Sequence, residues 1–167
     1  VLAGGVNKEM VLQLQARGVN AVGLTGLDGR LLEAQRKETV RVLQDGKILS
    51  LHDQYTGVVE QVNGHLIGVL RNAGYALVVC PPALSSKNEM INVDSDRAAA
   101  ASAVAASAEK LLLLTGTPGL LRRPDQPESI VGHLARGEIE TAIADYAVGR
   151  MKHKLLAAKE ALDRGVK

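Results

Sequence analysis

Tyr75-Ala76-Leu77-Val78-Val79-Cys80-Pro81-Pro82 is the stretch that decides the fold class. From Tyr75 to Cys80 no charge interrupts an apolar run of strand length, and two prolines that cannot continue a ladder stop it. A strand with no polar alternation is expected to be buried on both faces, as in a parallel sheet covered by helices. The flanks fit that picture. Asn63 is placed to cap a helix whose apolar residues are Leu66, Ile67, Val69 and Leu70, with Gly74 closing it. On the other side, Asp94 or Ser95 starts an alanine-rich helix over Asp96–Ser107, thin enough to lie close to a sheet. Glu109–Leu114 is expected to be the next buried strand.

Further out, Asn7 is read as the cap of a helix over Lys8–Arg17, with Met10, Val11 and Leu14 on one face and Gly18 at its end. Val19–Leu24 follows as a short strand and Gly26-Leu27-Asp28-Gly29 as a turn. Arg30–Arg36, Lys47–His52 and Thr56–Val62 have strand character, and Asp45-Gly46 is a hairpin signal. Toward the C-terminus a loop with Gly116, Pro118, Gly119, Pro124 and Pro127 precedes two short helices, Ser129–Ala135 and Ile139–Ala144. The last helix is expected over Gly149–Asp163. The order describes an α/β fold, a mainly parallel sheet sandwiched by helices, with inserted β-hairpins. No internal repeat or linker divides it, so a single domain over 1–167 is expected. The sequence opens without Met and stops at Gly165-Val166-Lys167, where a new strand could start, so both ends read as cuts.

Composition narrows the function. Lys and Arg (20) nearly balance Asp and Glu (18), and the only aromatic residues are Tyr55, Tyr75 and Tyr146. Neither the basic footprint nor the stacking platform of a nucleic-acid binder is present. One cysteine, Cys80, excludes an internal disulfide and fits a reducing, cytoplasmic compartment. No apolar run approaches the length of a membrane span.

Ligands of open α/β sheets bind at the carboxyl ends of the strands, where three polar segments fall. In the first, Asn92, Asp94 and Asp96 alternate, which places them on one side of an extended backbone. Helix capping with acids in the first turn is the plainer reading, and a cation or substrate site is the other. The second, Thr115-Gly116-Thr117-Pro118-Gly119-Leu120, lies where a nucleotide could rest on backbone N–H groups, without being a Walker A loop. In the third, Arg150, Lys152 and Lys154 crowd the start of a helix, against its dipole. This is either a solvated basic face or a helix start facing a phosphate. His52, His65, His133 and His153 lack ligand spacing, so no metal site through histidine is expected. Cys80 reads as core, Ser85-Ser86 has no histidine partner for a triad, and no G-x-G-x-x-G is present.

In order and spacing, five stretches resemble the amino acid kinase family, in its acetylglutamate kinase branch. They are Val6–Glu9, Ala21–Gly29, Ile91–Asp96, Leu113–Leu121 and Gly149–Lys154. Within that branch the chain is most similar to the kinases that phosphorylate 2-aminoadipate on a LysW-type amino-group carrier protein. The pointers are Gln54–Glu60, Pro81–Ser85 with Asn88-Glu89, Asp94, and Arg150 with Lys152. Acetylglutamate enzymes usually carry Asn at the Asp94 position and Asp at the Gly116 position. The resemblance implies the three-layer fold of that family, ATP and Mg²⁺ as cofactors, lysine or arginine biosynthesis as the setting, and a homodimer. It implies that Asn92 holds the substrate, that Lys154 stabilises charge on the transferring phosphoryl group, and that Asp96 orients Lys154. Gly116, Thr117, Pro118, Gly119, Leu120 and Leu121, with Tyr146, Ala147 and Val148, would line the nucleotide pocket. The family's lysine–glycine loop and second glycine-rich loop are not among these residues, so the resemblance implies that this stretch alone is inactive. Arg36, Lys37, Arg41 and Lys47 form an expected basic docking patch for an acidic carrier, with a solvated face as the alternative. N-Acetylglutamate, alone or together with the carrier-linked acceptor, is the other expected substrate, and a non-catalytic amino-acid-sensing domain is the reading from a different class.

Overall fold

Strands β1 (Ala21–Thr25) and β6 (Ala76–Cys80) pair in parallel, with Ala21 opposite Ala76 and Thr25 opposite Cys80. The computed structural model describes residues 1–44, 47–52 and 54–167, leaving aside the side chains of 40–44, 47–49, 51 and 52. It divides into two units, Val1–Ala98 and Ala99–Lys167.

In the first unit, α1 (Asn7–Gln15) precedes β1, and α2 (Gly64–Asn72) precedes β6. A second group of strands closes on itself. β2 (Leu32–Arg36) runs antiparallel to β5 (Thr56–Val62), β5 parallel to β8 (Met90–Val93), β8 antiparallel to β7 (Ala83–Leu84), and β7 meets β2 again. Leu31, Leu32, Ala34, Ala83, Ile91 and Val93 are its buried apolar residues. Gly57 is required where β5 crosses, since a Cβ there would fall 2.7 Å from Ile91 Cδ1 and closer still to the Gln35 carbonyl. β3 (Thr39–Gln44) and β4 (Lys47–His52) form a hairpin whose last pair is Gln44 opposite Lys47. Its turn, Asp45-Gly46, lies outside the described residues.

Four helices end alike. At Gly18, Gly74, Ser107 and Gly165 the chain takes a positive φ, and the next N–H reaches back five residues, as Val19 to Leu14 O and Tyr75 to Leu70 O. This is the Schellman termination, and it satisfies carbonyls that the helix leaves open. Ser107 is the exception in chemistry, a side chain in the left-handed region at φ 49°.

In the second unit, α3 (Ser95–Ala105), which crosses in from the first, packs through Ala100 and Ala103 on Ala157 and Ala161 of α5 (Gly149–Asp163), with Val166. α4 (Ile139–Asp145) is stitched to α5 by ions: Lys159 lies 2.9 Å from Asp163 and 3.3 Å from Glu140. The Lys159 ammonium, and then Arg136, hold the Asp163 carboxyl below its ordinary range. Asp163, and then Glu140, raise the pKa of Lys159.

Several expectations are corrected. Asn7 does not cap α1; it is the helix's first residue and its side chain goes elsewhere. β6 is not buried on both faces. Among the described residues it pairs only with β1, and a two-stranded sheet leaves Val79 37% exposed. Glu109–Leu114 forms no named strand: Leu112 and Leu114 are 79% and 89% exposed. Its first residues nevertheless make two ladder bonds. Lys167 N donates to Glu109 O and Leu111 N donates to Lys167 O, the start of a parallel ladder. Ser129–Ala135 is not helical, because the Ser129 hydroxyl accepts from Arg123 N (3.0 Å) and shares its one proton between Gln126 O (2.7 Å) and Arg123 O (2.9 Å). Those bonds fold the segment back on itself, and Leu121 bridges Ile130 in antiparallel fashion. The arm that pairs with β4 is β3, not Arg30–Arg36, whose residues Leu32–Arg36 pair with β5 instead.

Candidate active site

The site residues expected from sequence fall into two sets, one in each unit. In the first unit, β8 alternates strictly: Ile91 and Val93 are buried, while Met90 and Asn92 are exposed. Asn92 therefore presents its side chain on the open face of the strand, with its own N–H donated to Tyr55 O at 2.7 Å. The alternation ends there. The chain turns into α3 at Ser95, and Asp94 Oδ1 accepts the Arg97 N–H at 3.0 Å, the bond of a helix N-cap. Capping thus accounts for Asp94, and the single-sided row of Asn92, Asp94 and Asp96 is not formed, because strand geometry gives way to helix geometry between them. Asp96 lies in the first turn of α3, where a carboxylate suits the helix dipole.

A network that sequence reasoning missed braces this strand. The Arg36 guanidinium donates to Glu89 Oε1 (2.7 Å) and to Gln54 O (3.2 Å), and its carbon lies 4.2 Å from the Tyr55 ring centroid. Glu89 Oε2 in turn accepts the hydroxyl of Ser85 at 3.0 Å. Ser85 is buried, and its Oγ also accepts the N–H groups of Lys87 and Glu89. It builds the β7–β8 turn and is not a nucleophile. Arg36 and Glu89 are 53 residues apart, so no local pattern could pair them. This also corrects the docking patch: Arg36 is a half-buried partner of Glu89, while Lys37 is exposed. The side chains of Arg41 and Lys47 lie outside the described residues.

The second unit holds the expected nucleotide-binding residues. Thr115, Gly116, Thr117 and Pro118 are exposed, and a Cβ built on Gly116 meets nothing, so the loop backbone is open to a ligand. Gly119, Leu120 and Leu121 are half-buried, and Leu120 O accepts the Val131 N–H at 2.8 Å. The Arg122 guanidinium lies 5.7 Å from the Tyr146 ring, which brings the end of this loop beside Tyr146, Ala147 and Val148. Ala147 is buried and Val148 is 60% exposed. Lys154 lies half-buried in the second turn of α5, after exposed Arg150, Lys152 and His153. Among the described residues no cluster of three His, Cys, Asp or Glu is placed to hold a metal. No helix among them is long and apolar enough to cross a membrane.

A profile of the amino acid kinase family matches residues 1–167, the whole chain. The chain belongs to the amino acid kinase family. Among its relatives in that family, the [LysW]-aminoadipate kinase of Thermus thermophilus is 45% identical over all of this chain and 62% of its own length. That of Deinococcus radiodurans is 47% identical over 99% of this chain and 56% of its own. An acetylglutamate kinase of Methanopyrus kandleri is 40% identical over 99% of this chain and 65% of its own. The chain therefore spans about 60% of the length of the curated relatives it matches. Among solved structures, the N-acetylglutamate synthase of Neisseria gonorrhoeae complexed with coenzyme A and N-acetyl-glutamate shares the fold. Its TM-score is 0.69 at 24% identity, covering 97% of this chain and 36% of that one.

Proposed function

We propose that the chain serves in an ATP-dependent kinase that phosphorylates the side-chain carboxylate of 2-aminoadipate carried on a LysW-type carrier protein, giving an acyl phosphate. The similarity at 45% and 47% to two [LysW]-aminoadipate kinases, end to end along this chain, carries the reading. Asp94 and Gly116, at positions where the acetylglutamate enzymes usually differ, favour it over N-acetylglutamate as acceptor. The 40% identical acetylglutamate kinase keeps that acceptor as the second reading.

A carboxylate is already ionised, so the reaction needs no protein nucleophile or general base, only positioning and neutralisation of charge. ATP with Mg²⁺ would, when bound, supply the phosphoryl group and part of that neutralisation. In our reading Lys154 supplies the rest, and Asp96 orients its ammonium. Asn92 holds the acceptor through its amide. Gly116–Leu121 and Tyr146–Val148 would line the nucleotide pocket. The three-layer sandwich, a homodimer and a cytoplasmic setting belong to the same proposal. The test is an ATP-dependent hydroxamate assay on the full-length protein, with carrier-linked aminoadipate against N-acetylglutamate. Lys154→Ala is expected to lower kcat by about a hundredfold or more. A protein with no turnover to lose would point to the sensing class instead.

A further inference from the structure

The side chain of Arg36 does three things at once, all at the starts of two neighbouring strands, β5 and β8. It ion-pairs with Glu89, the residue before β8; it donates to the Gln54 carbonyl; and it covers the Tyr55 ring. Tyr55 O is the acceptor of the Asn92 N–H at 2.7 Å, and Thr56 is the strand partner of Asn92. Lys37 N donates to Thr56 O at 2.9 Å, so the backbone just past Arg36 is tied to the same place. Arg36 therefore holds the chain at two places beside Asn92: through Glu89, just before β8, and through Gln54 and Tyr55, just before β5.

We propose that Arg36 is a positioning residue for Asn92, fixing the strand from which Asn92 presents its side chain to the acceptor. This rests on the reading of Asn92 as the acceptor-holding residue. A solvated arginine would not be stacked, paired and bonded to a carbonyl together, and one in place only for stability would not distinguish acceptor from nucleotide. The planar fork makes the two bonds and the ring contact simultaneously, and an ammonium cannot.

The experiment compares Arg36→Met and Arg36→Lys with the wild-type full-length protein by hydrogen exchange across residues 88–94 and by steady-state kinetics. In Arg36→Met, exchange of the Asn92 amide is expected to speed up about tenfold while α2 and β1 amides keep theirs. The KM for the acceptor is expected to rise about tenfold with kcat within about threefold and the KM for ATP unchanged. Arg36→Lys, which keeps the charge toward Glu89 but loses the stack, should fall between. Unchanged protection of Asn92 in Arg36→Met, or KM values for acceptor and ATP rising in step, would overturn the assignment. A wild-type protein inert toward every carboxylate would remove the functional reading, and the exchange measurement would then decide the positioning by itself.

Discussion

The amide of Asn7 occupies the space where a side chain of Gly23 would be. Asn7 is 3% exposed, and its Nδ2 donates to Val78 O at 2.8 Å and Leu24 O at 3.3 Å, with Cys80 Sγ at 3.7 Å. One side chain on α1 thus grips both β1 and β6. A Cβ at Gly23 would run into Asn7 Oδ1 and come 3.0 Å from Val11 Cγ2. Gly23→Ala is therefore expected to push α1 off the sheet at a cost of about 2 kcal/mol, the scale of overpacking. Asn7→Ala should cost about 1–2 kcal/mol by removing the side-chain hydrogen bonds that tie α1 to both strands. Urea unfolding of both variants checks this, and the double variant should lose less than the sum, because the alanine at Gly23 then meets no amide.

Ser107 offers the opposite sign. It terminates α3 at φ 49° with its N–H on Val104 O, and Ala108 N reaches Ala103 O, yet it carries a Cβ where the other three terminations carry none. The left-handed region costs a non-glycine residue about 1–2 kcal/mol, so Ser107→Gly is expected to stabilise the protein by about 1 kcal/mol. A rise in urea midpoint at constant slope is the outcome to look for, and a fall would mean that entropy of the unfolded chain outweighs the strain.

These two sites also show what a sequence carries. Ends of elements set by short-range chemistry were legible: Asn63 accepts the Leu66 N–H as expected of a cap, Gly74 turns at φ 85°, and β4, β5 and α5 keep their expected limits. What failed depends on partners remote in sequence. Leu111–Leu114 has the apolarity of a strand, but past the Leu111–Lys167 bond no strand forms among the described residues, because a ladder needs a partner along its whole length and apolarity does not supply one. Asn7 has the residue type of a cap, but Val78 and Leu24 carbonyls claim its side chain. Of the candidate site, the residue types and their order were legible. The capping of Asp94 and the Arg36–Glu89 brace were not, because each depends on where a second segment lies.

Asp28 gives stability a pH dependence. Its Oδ2 accepts the Thr25 N–H at 2.7 Å and the Thr25 hydroxyl at 2.8 Å, and these bonds, backbone first, hold the carboxyl below its ordinary range. A carboxyl depressed in the folded state stabilises above its unfolded pKa and loses that contribution as pH falls through the folded one. The group is largely exposed, so screening keeps the effect small. Asp28→Asn should lower stability by about 1 kcal/mol at pH 7, with the difference shrinking below about pH 4. A difference that persists unchanged at pH 2 would assign it to packing of the turn.

The two acids that flank Ser95 should separate by role. Asp94 caps α3, so Asp94→Ala is expected to cost about 1 kcal/mol of stability and to leave kcat within a few-fold in the full-length protein. If Asp96 orients Lys154 as proposed, Asp96→Asn should do the reverse, keeping stability while kcat falls about a hundredfold. Denaturation midpoints and kcat measured on the same preparations test the pair. Loss of kcat in Asp94→Ala with Asp96→Asn active would exchange their assignments.

The carrier reading makes a prediction that the Arg36 geometry sharpens. Arg36 and Lys37 are adjacent basic residues, yet the first spends its charge on Glu89 at 2.7 Å while the second is exposed. Only the exposed one is available to an acidic protein surface, so charge reversal at the two positions should act differently. Lys37→Glu is expected to raise the KM for carrier-linked substrate about three- to tenfold, more at low salt, while a free small acceptor is unaffected, because rim charges act mainly on association. Arg36→Glu would instead face Glu89 with a like charge and disturb the strand that bears Asn92, raising the KM for free and carrier-linked acceptors alike. Equal losses on both acceptors in Lys37→Glu would remove the docking role, and a carrier-selective loss in Arg36→Glu would restore it to the arginine.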